Sequence, residues 1–399
     1  MDTIDFSIFD HGEAAVKAMR SVLARFERER RVHVNLEVIP FEGAWARMVQ
    51  IALYGDGPAV SEIGSSWVSD MVMMNALRPL SAKEVGLFGG EEVFLPASWQ
   101  SVRAIRDSLN SDAFAWAVPW VADTRLIYCR KDLLARAGQD GRDVFSDHAE
   151  LESCLQALRE HGAESPLVLP TYHSRINLHI MAGWIWASGG KFLSEDSQKA
   201  VFDSPEALDG MEKFFRLSRY LHPAARRLDD TQSDALFRNG RAALAISGPW
   251  LYDHPDVDPA LKDRIAVAVP PGVPFVGGFH LVIWKHARQE NAALELIEFL
   301  NGKNLPEELF PAFSLPTRLE TLAGNRFAQH PVYRVMIAAL RAGRSFRTVW
   351  MWGMLENRLY ESLQLIWDKV LADPEADIHA MLESQMHRLA DRINLKLNS

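Results

Sequence analysis

Trp250 ends the sequence Ser247-Gly248-Pro249-Trp250, directly after the apolar run Ala242 to Ile246. This context delivers a rigid indole to a fixed place, where its face can stack on the apolar C–H side of a sugar ring. Other Trp residues also sit beside turn chemistry: Trp67 follows Gly64-Ser65-Ser66, Trp120 follows Pro119, and Trp350 and Trp352 form a close pair. Most buried Trp are simply core. It is therefore context, more than residue type, that marks Trp250 and Trp67 as candidates.

Bulk properties limit what can carry such a site. A chain of 399 residues exceeds what one hydrophobic core usually supports, so two lobes are expected. With 48% hydrophobic and 24% charged residues, the chain can bury sizeable cores. Its formal net charge of -9 opposes a general grip on phosphate backbones, and no nucleic-acid partner is expected. Only two cysteines occur, Cys129 and Cys154, which excludes a disulfide framework and reads as two buried reduced thiols. No apolar stretch is long enough for a membrane-spanning helix. Met1-Asp2-Thr3-Ile4 lacks both a basic start and an apolar h-region. The expectation is a periplasmic or extracellular protein whose export signal has been removed, or a cytoplasmic one if Met1 is the natural start.

The elements that must position these residues follow from periodicity. Ile4, Phe6 and Ile8 alternate with Asp5 and Ser7 as a strand with one buried face. Val16, Met19, Val22, Leu23 and Phe26 then fall at helical spacing, and Val32, Val34, Leu36 and Val38 alternate as a second strand. The pattern repeats with a helix over 44–53, a strand over 59–63 and a helix after Trp67, and again beyond Trp120 with strands over 124–129 and 166–169 and helices over 147–160 and 177–187. Such alternation predicts α/β architecture with a largely parallel sheet. Ligands of such sheets settle beyond the carboxyl ends of strands, so Asp10-His11-Gly12 and Gly64-Ser65-Ser66-Trp67 are candidate binding loops, with Glu42 counted beside them. From Asn291 onward the chain reads as almost wholly helical.

Several motifs in order carry a family resemblance across almost the entire chain. They are Val118-Pro119-Trp120-Val121-Ala122-Asp123-Thr124-Arg125, Tyr128 to Leu134, Trp184-Ile185-Trp186-Ala187-Ser188-Gly189-Gly190-Lys191-Phe192, Phe237 to Trp250, Phe275-Val276-Gly277-Gly278-Phe279 and Leu315-Pro316-Thr317-Arg318. The sequence resembles the carbohydrate class of extracellular solute-binding proteins, the group containing maltose-binding protein, which serves ABC importers. The resemblance implies a two-lobed periplasmic-binding-protein fold of class II, each lobe a mainly parallel sheet flanked by helices, with a helical C-terminal region. It implies a first lobe of residues 1–119 and 275–318, a second of 123–271 and 330–399, and hinges near 119–123, 271–275 and 318–330. A sugar or oligosaccharide would bind in an interlobe cleft, and hinge closure would be the signal an importer reads. Relatives of this type are usually monomers.

Within that implied site Trp250 would stack on the sugar and Asp123 would accept hydrogen bonds from neighbouring hydroxyls, beside Arg125. Ser65, Ser66 and Trp67 match the first-lobe binding loop, with Asp10, His11 and Glu42 nearby. His173 and Asn177 would add polar contacts from the loop 171–177, and Trp184, Gly278, Phe279, Trp350 and Trp352 complete the candidate set. Plainer readings stand beside these. Asp123 and Arg125 suit a structural ion pair, His173 and Asn177 suit the start of the following helix, and Trp186 reads as core. Phe279 and His280 stand where many relatives carry small polar residues. No cofactor and no metal are expected: His161, His173 and His179 fit no common ligand spacing, and nucleophile-elbow, metalloprotease and phosphate-loop motifs are absent. Two other classes remain open, a sensory domain reporting to a receptor or kinase and a glycoside hydrolase.

Overall fold

The computed structural model describes residues 2–104, 114–141, 143–302, 309–310, 312–347, 349 and 352–397. The chain divides into two compact units, Met1–Asp123 with Val276–Gly353, and Thr124–Phe275 with Met354–Ser399. No helix among the described residues is long and apolar enough to cross a membrane.

In the first unit a six-stranded sheet has the order Leu315–Pro316, Val118–Thr124, Val276–Ile283, Val60–Gly64, Asp2–Phe9, Val32–Ile39. Asp2–Phe9 runs parallel to both Val32–Ile39 and Val60–Gly64, as strand-helix-strand connections require. The expected alternation holds over Ile4, Asp5 and Phe6, then gives way to burial on both faces from Phe6 to Phe9. Ser7 is accommodated inside because its hydroxyl bonds that of Ser61 at 2.7 Å, and Ser61 in turn accepts the Trp284 indole N–H at 2.7 Å. A buried hydroxyl without partners would be costly.

The second unit holds a four-stranded sheet ordered Ile265–Ala268, Leu126–Arg130, Leu244–Ser247, Leu167–Val168. Here the expectation of mainly parallel sheets is corrected. Leu126–Arg130 is antiparallel to both of its neighbours, and in the first unit Val276–Ile283 is antiparallel to Val60–Gly64 and Leu315–Pro316 to Val118–Thr124. Leu126–Arg130 and Val276–Ile283 are each the first strand a unit receives after the chain arrives from the other one. Such strands have no crossover helix behind them, so nothing obliges them to run parallel. The sheets are mixed.

One segment also departs from the expected division. The helix Pro331–Ala342, Arg344 and Gly353 fall in the first unit and not the second: the Arg344 carbonyl accepts the Val276 N–H at 2.7 Å, and a Cβ on Gly353 would meet the Asp70 carboxylate at 2.0 Å.

In the second unit the helix Ile176–Ala187 carries Trp184 and packs against Pro205–Arg216. Their closest approach is at Gly210, where an added Cβ would lie 2.6 Å from both the Ile185 Cα and the Trp184 carbonyl oxygen. Ala in place of Gly in an open helix stabilises by about 1 kcal/mol. At Gly210 the clash is with backbone that cannot turn aside, and overpacking costs about 1–3 kcal/mol. Gly210→Ala should therefore lower the denaturant midpoint, and an unchanged or raised midpoint would show that the two helices part freely.

Candidate functional site

In the first unit the strands Asp2–Phe9, Val32–Ile39 and Val60–Gly64 end along one edge, and the loops that follow them bring an aromatic group together. His11 sits in its middle, with ring centroids 5.3 Å from Phe41, 5.1 Å from Phe279 and 4.8 Å from Phe313. Trp67 meets Phe9 edge-on at 5.7 Å and Trp45 at 5.3 Å. His11 is held by Glu62, a fully buried carboxylate: Nε2 lies 2.8 Å from Oε1, while Oε2 accepts the Phe9 N–H at 2.8 Å. A carboxylate can only accept, so Nε2 donates.

The other candidates of this unit fall into different roles. The Asp10 carboxylate accepts the Gly12 N–H at 3.0 Å and shapes its own turn. Glu42 is exposed, and Ser65 and Ser66 are half-buried in a single 3-10 turn that ends at Trp67. Gly278 has φ of +122°, and a Cβ there would lie 2.0 Å from the Val121 carbonyl oxygen, so it serves close backbone approach. Asp123 is buried on the strand Val118–Thr124 and ends the unit's first segment. Sequence reasoning missed Phe41, Trp45, Glu62 and Phe313. Phe41 was within reach of it, since it follows the end of Val32–Ile39 just as His11 follows the end of Asp2–Phe9.

In the second unit Trp250 opens a short helix straight after the strand Leu244–Ser247. Its indole is half-buried and fixed on two sides. The Arg125 guanidinium lies 5.2 Å from the ring centroid, and Nε1–H donates to the Asp234 carboxylate at 2.9 Å. Arg125 was expected as a ligand contact. It is instead 4% exposed, 5.5 Å from the Phe275 ring, donating to the Thr124 carbonyl at 3.2 Å and to His179 Nδ1 at 2.9 Å. His179 stacks on Phe275 at 4.2 Å, and its Nε2 lies 3.7 Å from buried Glu356. A desolvated guanidinium over an indole contributes about 2 kcal/mol. Arg125 is thus the support beneath Trp250.

Four further expectations are corrected here. Trp184 is 1% exposed between His148 and Phe214, so it is core. Trp186, expected as core, is partly exposed and stacked over Phe275, because two helical residues two apart point roughly 200° away from each other. Asn177 is buried with both amide ends engaged, donating to the Pro170 carbonyl at 2.5 Å and accepting the Trp367 indole N–H at 2.8 Å. Trp352 is buried against Phe346 at 4.4 Å. Trp350 lies outside the described residues. His173 is exposed with φ of +48°; its backbone N–H donates to Gln364 at 2.9 Å, and neither it nor Asn177 caps the helix Ile176–Ala187. Among the described residues no group of three or more His, Cys, Asp or Glu side chains is placed to hold a metal ion.

Beside Trp250, the helix Asp230–Arg238 carries two carboxyls one turn apart. Burial pushes both Asp230 and Asp234 up to about 6, against the hydrogen bonds that Ser174 gives the first and Trp250 the second. Their unfolded values lie near 4, so the folded chain holds more protons between about pH 4 and 6. Their contribution to stability is full below pH 4 and is lost as pH rises through about 6. Asp234→Asn should flatten the decline of melting temperature across that window; an identical pH profile would show that the carboxyl titrates as if solvated.

Comparison with known proteins places this geometry. The model of the bacterial extracellular solute-binding protein family matches residues 12–303. The chain is 22% identical over 306 residues to a maltotriose-binding protein of Pyrococcus abyssi, covering 71% of this chain and 61% of that one. Its fold is similar to that of an ABC transporter solute-binding protein from Thermotoga lettingae bound with alpha-D-tagatose, with TM-score 0.82, 20% identity and all of both chains covered. It is similar also to the sugar-binding protein MalE of Xanthomonas citri, with TM-score 0.81, 20% identity and coverage of 99% and 98%. These likenesses show the two-lobed α/β fold, and by the family match the chain belongs to the bacterial extracellular solute-binding proteins.

Proposed function

We propose that this protein binds a sugar or oligosaccharide and delivers it, chemically unchanged, to the membrane subunits of an ABC importer, working as a monomer outside the cytoplasm. The observation that carries the reading is the Trp250 platform. One side of the indole rests over a buried cation and its edge is tied to Asp234, which leaves a rigid half-buried ring oriented before any ligand arrives. Preorganisation of this kind reduces the entropy lost on binding. Tagatose in the Thermotoga lettingae structure and maltotriose in the name of the Pyrococcus abyssi relative support the ligand class.

In this reading Trp250 stacks on the ring, and Asp123 and His173 take hydroxyls. In the first unit Asp10, His11, Glu42, Ser65, Ser66, Trp67 and Phe279 are the proposed contacts beside Asp123. His11 would meet a ligand through Nδ1, since Glu62 engages Nε2. The surrounding Phe and Trp rings would face C–H groups.

A thermal-shift screen against mono- and oligosaccharides, tagatose and maltotriose among them, should raise the melting temperature for at least one, because a ligand that binds only the folded state stabilises it. Chromatography of the recovered sugar should return it intact; steady formation of a hydrolysis product would overturn the binding-protein reading. With the ligand in hand, Trp250→Ala should cost about 2–4 kcal/mol of affinity while the fold persists. Arg125→Met keeps the bulk beneath the indole and removes the charge, and should weaken binding by about 1–2 kcal/mol. Calorimetric titration checks both, and unchanged affinity in Trp250→Ala would end the stacking assignment.

A further inference from the structure

The two C-terminal helices, Trp352–Ala372 and Ile378–Leu397, border a trough of about 720 Å³ in the second unit. On the first helix it is lined by Met354, Arg358, Glu361, Leu365 and Lys369, and on the second by Gln385, Arg388, Arg392 and Lys396. Both sets recur at steps of three and four residues, so each helix presents one continuous stripe to the same hollow. Buried Leu389 and Ile393 lie in its floor, while Leu365 and Leu395 stand 55% and 74% exposed along it.

The rim is cationic in an acidic chain. Five Lys and Arg side chains line the trough against the single carboxylate of Glu361, which is already paired with Arg358 at 2.9 Å, whereas the whole protein carries -9. Among the described residues Lys369, Arg388 and Arg392 have no carboxylate partner. Arg388, Arg392 and Lys396 also follow one another at four-residue spacing, where like charges repel and weaken a helix. An anionic occupant would relieve that repulsion.

We propose that this trough is a docking site for an acidic amphipathic helix of a partner protein. Two stripes facing one hollow leave the place of a third helix, whose apolar side would cover the exposed Leu365 and Leu395 and whose Asp and Glu side chains would meet the cations on both rims. A flat anionic membrane would touch the rim cations but leave the floor uncovered, so concavity favours a helix. The site is separate from the sugar-binding reading and does not depend on it.

The test uses the full chain and a fluorescein-labelled helical peptide with Glu on one face and Leu on the other, followed by anisotropy. Saturable binding is expected. It should weaken roughly tenfold or more in Arg388→Glu combined with Arg392→Glu and in Leu365→Asp, and should fall with added salt. Unaltered melting temperatures would establish that these variants fold, and Lys369→Glu carries the same charge test should the double variant fail to fold. No saturable binding, equal binding by the variants, equal binding of a Glu and Ala peptide without Leu, or displacement of the peptide by phosphatidylglycerol vesicles would each overturn the proposal.

Discussion

The indole of Trp250 is held by charges that have been withdrawn from water. Arg125 is almost fully buried beneath it, and a guanidinium so placed must satisfy its donors inside the protein. Nη1 does so with the Thr124 carbonyl and Nη2 with His179, which is aligned in turn by stacking on Phe275. Asp234 takes the indole N–H from the other side, at the expense of a carboxyl raised by its own burial. The platform is rigid because each group in this series has few alternatives. It also follows that the ring's chemistry is set by residues from five places in the chain: the entrance to the strand Leu126–Arg130, the helix Ile176–Ala187, the helix Asp230–Arg238, Phe275 and the long helix that starts at Trp352.

The first unit solves a similar problem with one buried carboxylate. Glu62 is fully enclosed, and both of its oxygens are engaged, one by the Phe9 backbone and one by His11. Through that pair the end of one strand is tied to the loop after its neighbour, and the imidazole is fixed among the rings of Phe41, Phe279 and Phe313. A single acidic residue therefore decides which nitrogen of His11 can meet a ligand. The surrounding aromatics limit water at that place and strengthen the hydrogen bond. The two units thus present different surfaces, one a single supported indole and the other an aromatic bowl with an imidazole at its base.

The chain order accounts for part of the mixed pairing, the antiparallel pair of Leu315–Pro316 with Val118–Thr124 aside. Strands connected through a helix within one unit pair in parallel, as Asp2–Phe9 does with both of its neighbours. Strands that begin a unit's segment after the chain has come from the other unit pair antiparallel. Discontinuous units and these antiparallel pairs are therefore two consequences of the same connectivity, and the helical tail is divided by it too, with the helix Pro331–Ala342 on one unit and the last two long helices on the other.

What the sequence by itself determined was local. Alternation and helical spacing located the first strand, the first helix and the paired strands, and the rule that ligands gather at strand ends pointed to His11 and Trp67. The Ser-Gly-Pro-Trp turn singled out Trp250 for the same reason, since strand exits and turn residues leave a signature within a few positions. The partners of those residues left no such signature. That Arg125 supports the indole, that Glu62 holds His11, that Asn177 is spent on Trp367 and that Trp184 and Trp186 exchange their expected places are contacts between residues tens to hundreds of positions apart. Burial and pairing depend on which faces the packed elements turn toward one another, and only the tertiary structure decides that.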